Sequence, residues 1–156
     1  MRVVTEDRRV RLASPADAVV LAELDRLVNR SPWTLAQFEL ACADGVNSTE
    51  HTLLAEEGGR VLGFVVYTLV LDEACIHSIA VQPRQQGRGH GRFLLRSALA
   101  AAKRDGAGRC YLEVRASNAA ARALYEKFSF QYDGLRKGYY SARDGREDAV
   151  LMSRQL

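Results

Sequence analysis

Ile79-Ala80-Val81-Gln82-Pro83-Arg84-Gln85-Gln86-Gly87-Arg88-Gly89-His90-Gly91-Arg92 decides how this chain is read. An apolar, strand-like run ends in three closely spaced glycines and passes at once into the helix pattern of Phe93-Leu94-Leu95. Glycines at such a junction let the backbone approach a ligand closely. The first N–H groups of the following helix have no partner inside it, and the helix dipole adds partial positive charge at the same place. A strand–glycine loop–helix unit of this kind is suited to a phosphate or pyrophosphate. The loop lacks the Lys-Ser/Thr pair of a P-loop, and its glycines do not follow the dinucleotide fingerprint. By itself the stretch also fits a flexible turn before an ordinary helix.

The charge around the loop favours an anionic ligand. Residues 1–72 carry 7 basic and 11 acidic side chains, whereas residues 73–156 carry 15 and 8, within a net charge of +3. From Arg84 to Arg104 there are six basic residues and no acidic one. A basic patch suits a nucleic acid, a membrane surface or an anionic cofactor. This one coincides with the glycine loop and has no aromatic stacking platform interleaved with it. A phosphorylated cofactor is therefore expected, and direct binding of nucleic acid is not.

A length of 156 residues fits a single domain, 1–156, with a real hydrophobic core. Apolar residues at 47% and charged residues at 26% are ordinary for a soluble globular protein. No apolar run approaches the roughly 20 residues that span a bilayer. With Glu6, Asp7, Arg8 and Arg9 so early there is no signal-peptide core, so a cytoplasmic protein without membrane attachment is expected. Cys42, Cys75 and Cys110 form neither metal-ligand spacing nor a disulfide framework, and Cys75 and Cys110 read as buried thiols. His51, His77 and His90 are scattered, so no metal site is expected.

The pattern along the chain is β-α-α-β-β-β-α-β-α-β-β, a mixed α/β layer structure. Val10 to Leu12 suggests a strand, and Ser14-Pro15-Ala16-Asp17 marks a helix start. Val20, Leu21, Leu24, Leu27 and Val28 give that helix an apolar stripe. A short helix follows Pro32-Trp33-Thr34, with Leu35, Phe38 and Ala41 inward. Asp44-Gly45 and Asn47 to Glu50 read as loop. His51 to Glu56 and Arg60 to Leu71 flank a Glu57-Gly58-Gly59 turn, and Ala74 to Val81 is a third β-like run. Helix returns from Gly89 to Arg104 with Leu94, Leu95, Ala98, Leu99 and Ala102 on one face. Arg109 to Arg115 reads as strand, Asn118 to Phe128 as helix, and Phe130 to Tyr140 and Glu147 to Arg154 as closing strands.

A second block, Leu112-Glu113-Val114-Arg115-Ala116-Ser117-Asn118, leads into Leu124-Tyr125-Glu126-Lys127-Phe128. Strand alternation sets Cys110, Leu112 and Val114 on one side and Tyr111, Glu113 and Arg115 on the other. A carboxylate in a central strand is costly unless it is paired or has a task, so Glu113 is either ion-paired with an arginine or functional. Asn118 and Ser117 stand where a helix begins and are good caps in any case. Tyr125, two turns further on, suits either a core position or a proton donor.

Taken together, these blocks resemble the GNAT N-acetyltransferase superfamily, and within it the RimI-like ribosomal-protein alanine N-acetyltransferases. The spacing Gln86-x-x-Gly89-x-Gly91 is similar to that family's acyl-CoA signature. Ser31-Pro32-Trp33, Asp72-Glu73-Ala74, Ile79-Ala80-Val81, Leu112 to Ala121, Ala123-Leu124-Tyr125-Glu126, Tyr139-Tyr140 and Glu147-Asp148-Ala149 extend the resemblance over nearly the whole chain. It implies the GNAT fold: one twisted mixed sheet of six to seven strands, with helices on both faces and a central splay for acetyl-CoA.

The resemblance also implies acetyl transfer from acetyl-CoA to an amine. Ile79, Ala80 and Val81 would line the acetyl and pantetheine arm, with the Val81 N–H polarising the thioester carbonyl. Gly87, Arg88, Gly89, His90, Gly91 and Arg92 would cradle the pyrophosphate, and Asn118 would bind the pantetheine arm. Glu113 would be general base and Tyr125 general acid. Trp33, Glu73, Tyr139 and Tyr140 are candidates for the acceptor cleft. The implied acceptor is the N-terminal amine of a ribosomal protein beginning with alanine. A lysine or small-molecule amine, and a noncatalytic acyl-CoA sensor, are the alternatives. The chain departs from the family pattern at His77-Ser78, at Phe128-Ser129-Phe130 (where a glycine is usual after the first residue) and at Arg146.

Overall fold

The computed structural model describes residues 7–43 and 49–156. Its strands are β1 (Arg9–Leu12), β2 (Glu50–Glu57), β3 (Arg60–Val70), β4 (Glu73–Val81), β5 (Arg109–Arg115), β6 (Gln131–Ala142) and β7 (Gly145–Gln155). The helices are α1 (Ala18–Val28), α2 (Leu35–Ala41), α3 (His90–Arg104) and α4 (Ala119–Lys127). The strands form one mixed seven-stranded sheet in the order β1-β2-β3-β4-β5-β7-β6. The loop expected at Asp44-Gly45 and Asn47 to Glu50 lies largely outside the described residues; Glu50 itself opens β2.

The chain divides into two compact units. The first runs to Tyr67 and takes in Ser78–Ala98; the second is Thr68–His77 with Leu99–Leu156. In the first unit, β1 pairs antiparallel with β2 from Arg9↔Glu56 to Leu12↔Leu53. Its core gathers Leu21, Leu24, Phe38, Leu54, Phe64 and Val66, with Phe38 edge-on to Phe64 at 5.3 Å between ring centroids.

Ser14 caps a 3-10 turn, Pro15–Asp17, ahead of α1, and Asp17 accepts the Ser14 N–H at 2.7 Å. The stripe expected on α1 is rotated from its true face. Leu21 and Leu24 are buried, but Leu27 is 68% exposed and Val20 41% exposed. The buried face is completed by Ala18, Ala22 and Asp25, a carboxylate that apolar periodicity does not register. Leu35 also turns outward, at 43% exposed, while Phe38 and Ala41 on the same capped helix are buried. On α3 the expected face holds: Leu94, Leu95, Ala98, Leu99 and Ala102 are all buried.

In the second unit, β4 and β5 pair in parallel over Glu73–Ile76 and Arg109–Leu112. β5 continues to Arg115 along β7, antiparallel, with Glu113 opposite Leu151. Buried Cys110, Leu112 and Val114 alternate with half-buried Tyr111, Glu113 and Arg115 along β5, which is the pleat at work. β6 joins β7 with register shifts at Tyr132/Gly134 and Arg136/Tyr140. At the second shift Gly138 adopts φ +62° and donates its N–H to Asp148 Oδ1 at 2.9 Å.

Candidate active site

The glycine loop belongs to the first unit. After a 3-10 turn at Pro83–Gln85, Gly87 and Gly89 adopt φ +79° and +85°, backbone that favours glycine. A Cβ built at either position meets nothing within 4 Å, so the loop borders open space. The Gly89 carbonyl accepts the Phe93 N–H at 3.1 Å and closes the first turn of α3. The N–H groups of His90, Gly91 and Arg92 thus fall in the first turn, where a helix has no internal acceptors for them. Arg88 and Arg92 are exposed beside the loop. These features fit a diphosphate: first-turn donors, a positive helix end and exposed cations around an uncluttered cradle.

His90 sits differently from its loop neighbours. Its ring is buried and Nδ1 lies 3.1 Å from Arg8 Nη1. Burial, reinforced by the Arg8 charge, lowers its pKa and favours the neutral imidazole. Ile79 and Val81 are half-buried and Ala80 is buried. The Val81 carbonyl accepts from Gln86 Nε2 at 3.2 Å, tying strand to loop. Gly63 on β3 allows this segment its place: a Cβ there would fall 2.5 Å from the Ala80 carbonyl oxygen and 3.1 Å from Val81 Cα. A glycine inside an apolar strand run signals such close backbone approach, so Gly63 was open to discovery from sequence.

Trp33, also in the first unit, packs on Phe38 at 5.5 Å and against the core cluster. Its backbone N–H donates to Asp25 Oδ2 at 2.7 Å. Asp25 is 1% exposed, and burial raises its pKa. Trp33 is therefore anchored between α1 and α2.

The second unit holds Glu113, Tyr125, Asn118, Glu73, Tyr139 and Tyr140. Glu113 Oε1 forms an ion pair with Arg136 Nη1 at 3.2 Å, the two side chains being 32% and 52% exposed. Arg136 also lies over the Tyr139 ring at 4.8 Å, and Tyr139 packs edge-on against Tyr140 at 4.9 Å. Arg115 covers Tyr140 at 4.5 Å and pairs with Glu147 at 3.4 Å. Glu147 in turn accepts the Ser117 N–H at 2.7 Å, and hydrogen bonding from the Ser117 side chain first, then from this N–H, holds its carboxyl below the usual range. Burial first, then the Glu113 charge, pushes the Tyr140 phenol up to about 12. Glu113, Tyr139 and Tyr140 thus come together; Glu73 stands exposed opposite Arg109, where β4 begins. Sequence reasoning missed Arg136, whose place depends on a long-range register no local window contains.

Tyr125 is 5% exposed, with its ring edge-on to Phe130 at 5.7 Å. Burial raises its phenol well above the ordinary value, with smaller contributions from Cys110 and Tyr140. Among the described residues no buried side-chain polar atom lacks a hydrogen bond, and none of them bonds the Tyr125 hydroxyl. Asn118 caps α4, its Oδ1 accepting the Ala121 N–H at 3.1 Å, so its NH2 group is what it has to offer a ligand. Cys110 is pushed up to about 12 and Cys75 is raised, both chiefly by burial, which makes inert thiols. Among the described residues, no group of three or more His, Cys, Asp or Glu could hold a metal ion, and no helix is long and apolar enough to cross a membrane.

A mixed sheet with a strand–glycine loop–helix cradle and a carboxylate beside aromatic hydroxyls defines a class, and comparison with known proteins names it. Residues 19–130 match the acetyltransferase (GNAT) family, and the chain belongs to that enzyme family. It is 44% identical over 97 residues to the [ribosomal protein bS18]-alanine N-acetyltransferase of Escherichia coli, a match covering 62% of this chain and 66% of that relative, just under two thirds. It is 38% identical over 160 residues to the N-alpha-acetyltransferase RimI of Mycobacterium tuberculosis, covering 99% and 96%. The crystal structure of the ribosomal-protein-S18-alanine N-acetyltransferase from Escherichia coli superposes with a TM-score of 0.88 at 32% identity, over 96% of this chain and 94% of that one.

Proposed function

We propose that residues 1–156 act as one catalytic domain that transfers the acetyl group of acetyl-CoA to the N-terminal α-amine of a protein, with a ribosomal protein beginning with alanine as acceptor. The observation that carries the acceptor class is the similarity, over nearly the full length of both chains, to an N-alpha-acetyltransferase. A cytoplasmic location goes with that role.

In this reading the Gly87–Arg92 backbone and the Arg88 and Arg92 guanidiniums hold the pyrophosphate, while Ile79 to Val81 and the Asn118 amide hold the acetyl-pantetheine arm. Acetyl-CoA supplies the thioester. An α-amine has a pKa near ~8, so part of it is already neutral at pH 7, and Glu113 takes the proton from the rest, directly or through a water. The Val81 N–H stabilises negative charge on the carbonyl oxygen. Tyr125 serves the departing sulfur. Its phenol sits far above a thiol's value of about 8.5, so its main contribution is a hydrogen bond to the developing thiolate, with complete proton loss unnecessary. Trp33, Glu73, Tyr139 and Tyr140 contact or orient the acceptor peptide, Trp33 doing so from its anchored position.

Mass spectrometry of two peptides incubated with the protein and acetyl-CoA tests the proposal. One peptide begins with a free alanine and lacks lysine; the other has a blocked N-terminus and an internal lysine. One added acetyl group on the first alone is expected. Acetylation of the second alone moves the acceptor to lysine. Reaction of neither, with acetyl-CoA still bound, points to small amines or to a sensing role.

A further inference from the structure

In the second unit, the turn after α4 and the ends of β5 and β7 form a pocket of about 350 Å³ lined by Arg109, Ser129, Gln131, Ser153, Arg154 and Gln155. All six side chains are polar, two are cationic and none is acidic. Both arginines are half-buried, and their partners are neutral. Arg109 Nη2 donates to Ser153 Oγ at 2.7 Å, and Arg154 Nη1 donates to the Phe128 carbonyl at 2.9 Å. Ser153, itself 1% exposed, is thereby fixed in the wall. Among the described residues neither guanidinium forms an ion pair within 4 Å, although Glu73 stands opposite Arg109 on β4, and the lining the two cations share holds no acid. That arrangement is costly empty and favourable around an anion.

Ser129 adds an independent observation. It adopts φ +65°, left-handed backbone that a glycine occupies without strain, at the position where the family pattern has glycine. The chain accepts that strain and gains a hydroxyl at the pocket wall. The donors also outnumber what a carboxylate can take: two guanidiniums, two hydroxyls and two carboxamides suit a tetrahedral, doubly charged group. Arg109 opens β5 while Glu113 lies four residues on, ~13 Å along the strand, and neither Glu113 nor Tyr125 lines this pocket.

We propose that the Arg109–Ser129–Arg154 pocket is a second ligand site, which binds a phosphoryl group as inorganic phosphate or as a small phosphomonoester. The proposal does not depend on the acetyl-transfer reading.

The test is an NMR titration of the 15N-labelled full chain with sodium phosphate and, separately, glycerol 2-phosphate, against sodium chloride at matched ionic strength. Saturable shifts are expected at the amides of Ser129, Gln131 and Arg154. Arg154→Gln should weaken the affinity read there by about tenfold or more. Ser129→Gly, which relieves strain and so keeps the fold, should weaken it by a smaller factor. Any response of the Gly87–Arg92 amides should be the same in all three proteins. Equal saturation by both probes assigns the site to phosphate itself, and tighter saturation by glycerol 2-phosphate assigns it to a phosphomonoester. Shifts no larger than those with chloride, or equal affinity in wild type and both variants, would overturn the proposal.

Discussion

Arg136 on β6 reaches across β7 to the Glu113 carboxylate on β5, with 3.2 Å between Nη1 and Oε1. The backbone explains the reach: Glu113 stands opposite Leu151 and Arg136 opposite Ala149, two residues apart on the strand between them. Both side chains are substantially exposed, so the pair contributes only about 0–1 kcal/mol to stability. Arg136→Gln should leave thermal stability within that range. It should nonetheless lower acetyl transfer, by less than the loss of Glu113 does, because the carboxylate loses its orienting partner. A large drop in melting temperature would mean that the pair is chiefly structural.

Tyr125→Phe removes a hydroxyl with no protein partner among the described residues, so stability should stay within ~0.5 kcal/mol while transfer slows by about 10²-fold. Stopped-flow turnover beside calorimetry distinguishes this from a core role, in which an unstable but active variant is the signature. Raised phenols also set the alkaline limit. The unfolded chain loses these protons near pH 10, whereas folded Tyr140 holds its own to about 12 and Tyr125 higher still. Stability should therefore fall as pH rises above 10, and less steeply in Tyr125→Phe.

At the acid end the relevant group is Asp17. Its hydrogen bonds from Arg11, at 2.8 and 2.9 Å, hold its carboxyl down at about 2. A depressed folded value gives stability that is present above the unfolded carboxyl's range, near 3.8, and lost as pH falls through it toward 2. Asp17→Asn should cost about 1 kcal/mol at pH 7, discounted for partial exposure, and clearly less near pH 2, where the folded carboxyl is about half protonated. Urea denaturation at the two pH values checks it; an equal cost at both would assign the effect to the cap geometry alone.

Gly89→Glu places bulk and negative charge at a left-handed position of the loop. Acetyl-CoA binding, measured by calorimetry, should disappear. Retained micromolar affinity would remove the loop from the cofactor site.

The order of elements, the α3 face and the β5 alternation were legible because each is a local repeat: period 3.6 on α3, period 2 on β5. The glycine loop was legible for a related reason, since residues that tolerate φ above zero are few. The face of α1 was not, because Asp25 replaces an apolar side chain on its buried side and Leu27 lies on its exposed side. Glu113 left two readings open in sequence, an ion pair or a task, and the structure shows the first: a half-buried carboxylate paired with Arg136. Its partner and the polar pocket under Ser129 depend on β6 and β7, whose register is set by distant residues. Trp33 and Asn118 have visible structural duties, as core anchor and helix cap, that their sequence contexts already allowed.

The most direct test compares wild type with Glu113→Gln, measuring acetyl-CoA affinity by calorimetry and acetylation of an alanine-first peptide by thiol release at pH 7. The account predicts unchanged affinity and at least about 10²-fold slower transfer in the variant. Equal transfer rates would contradict it, by showing that no proton passes through Glu113.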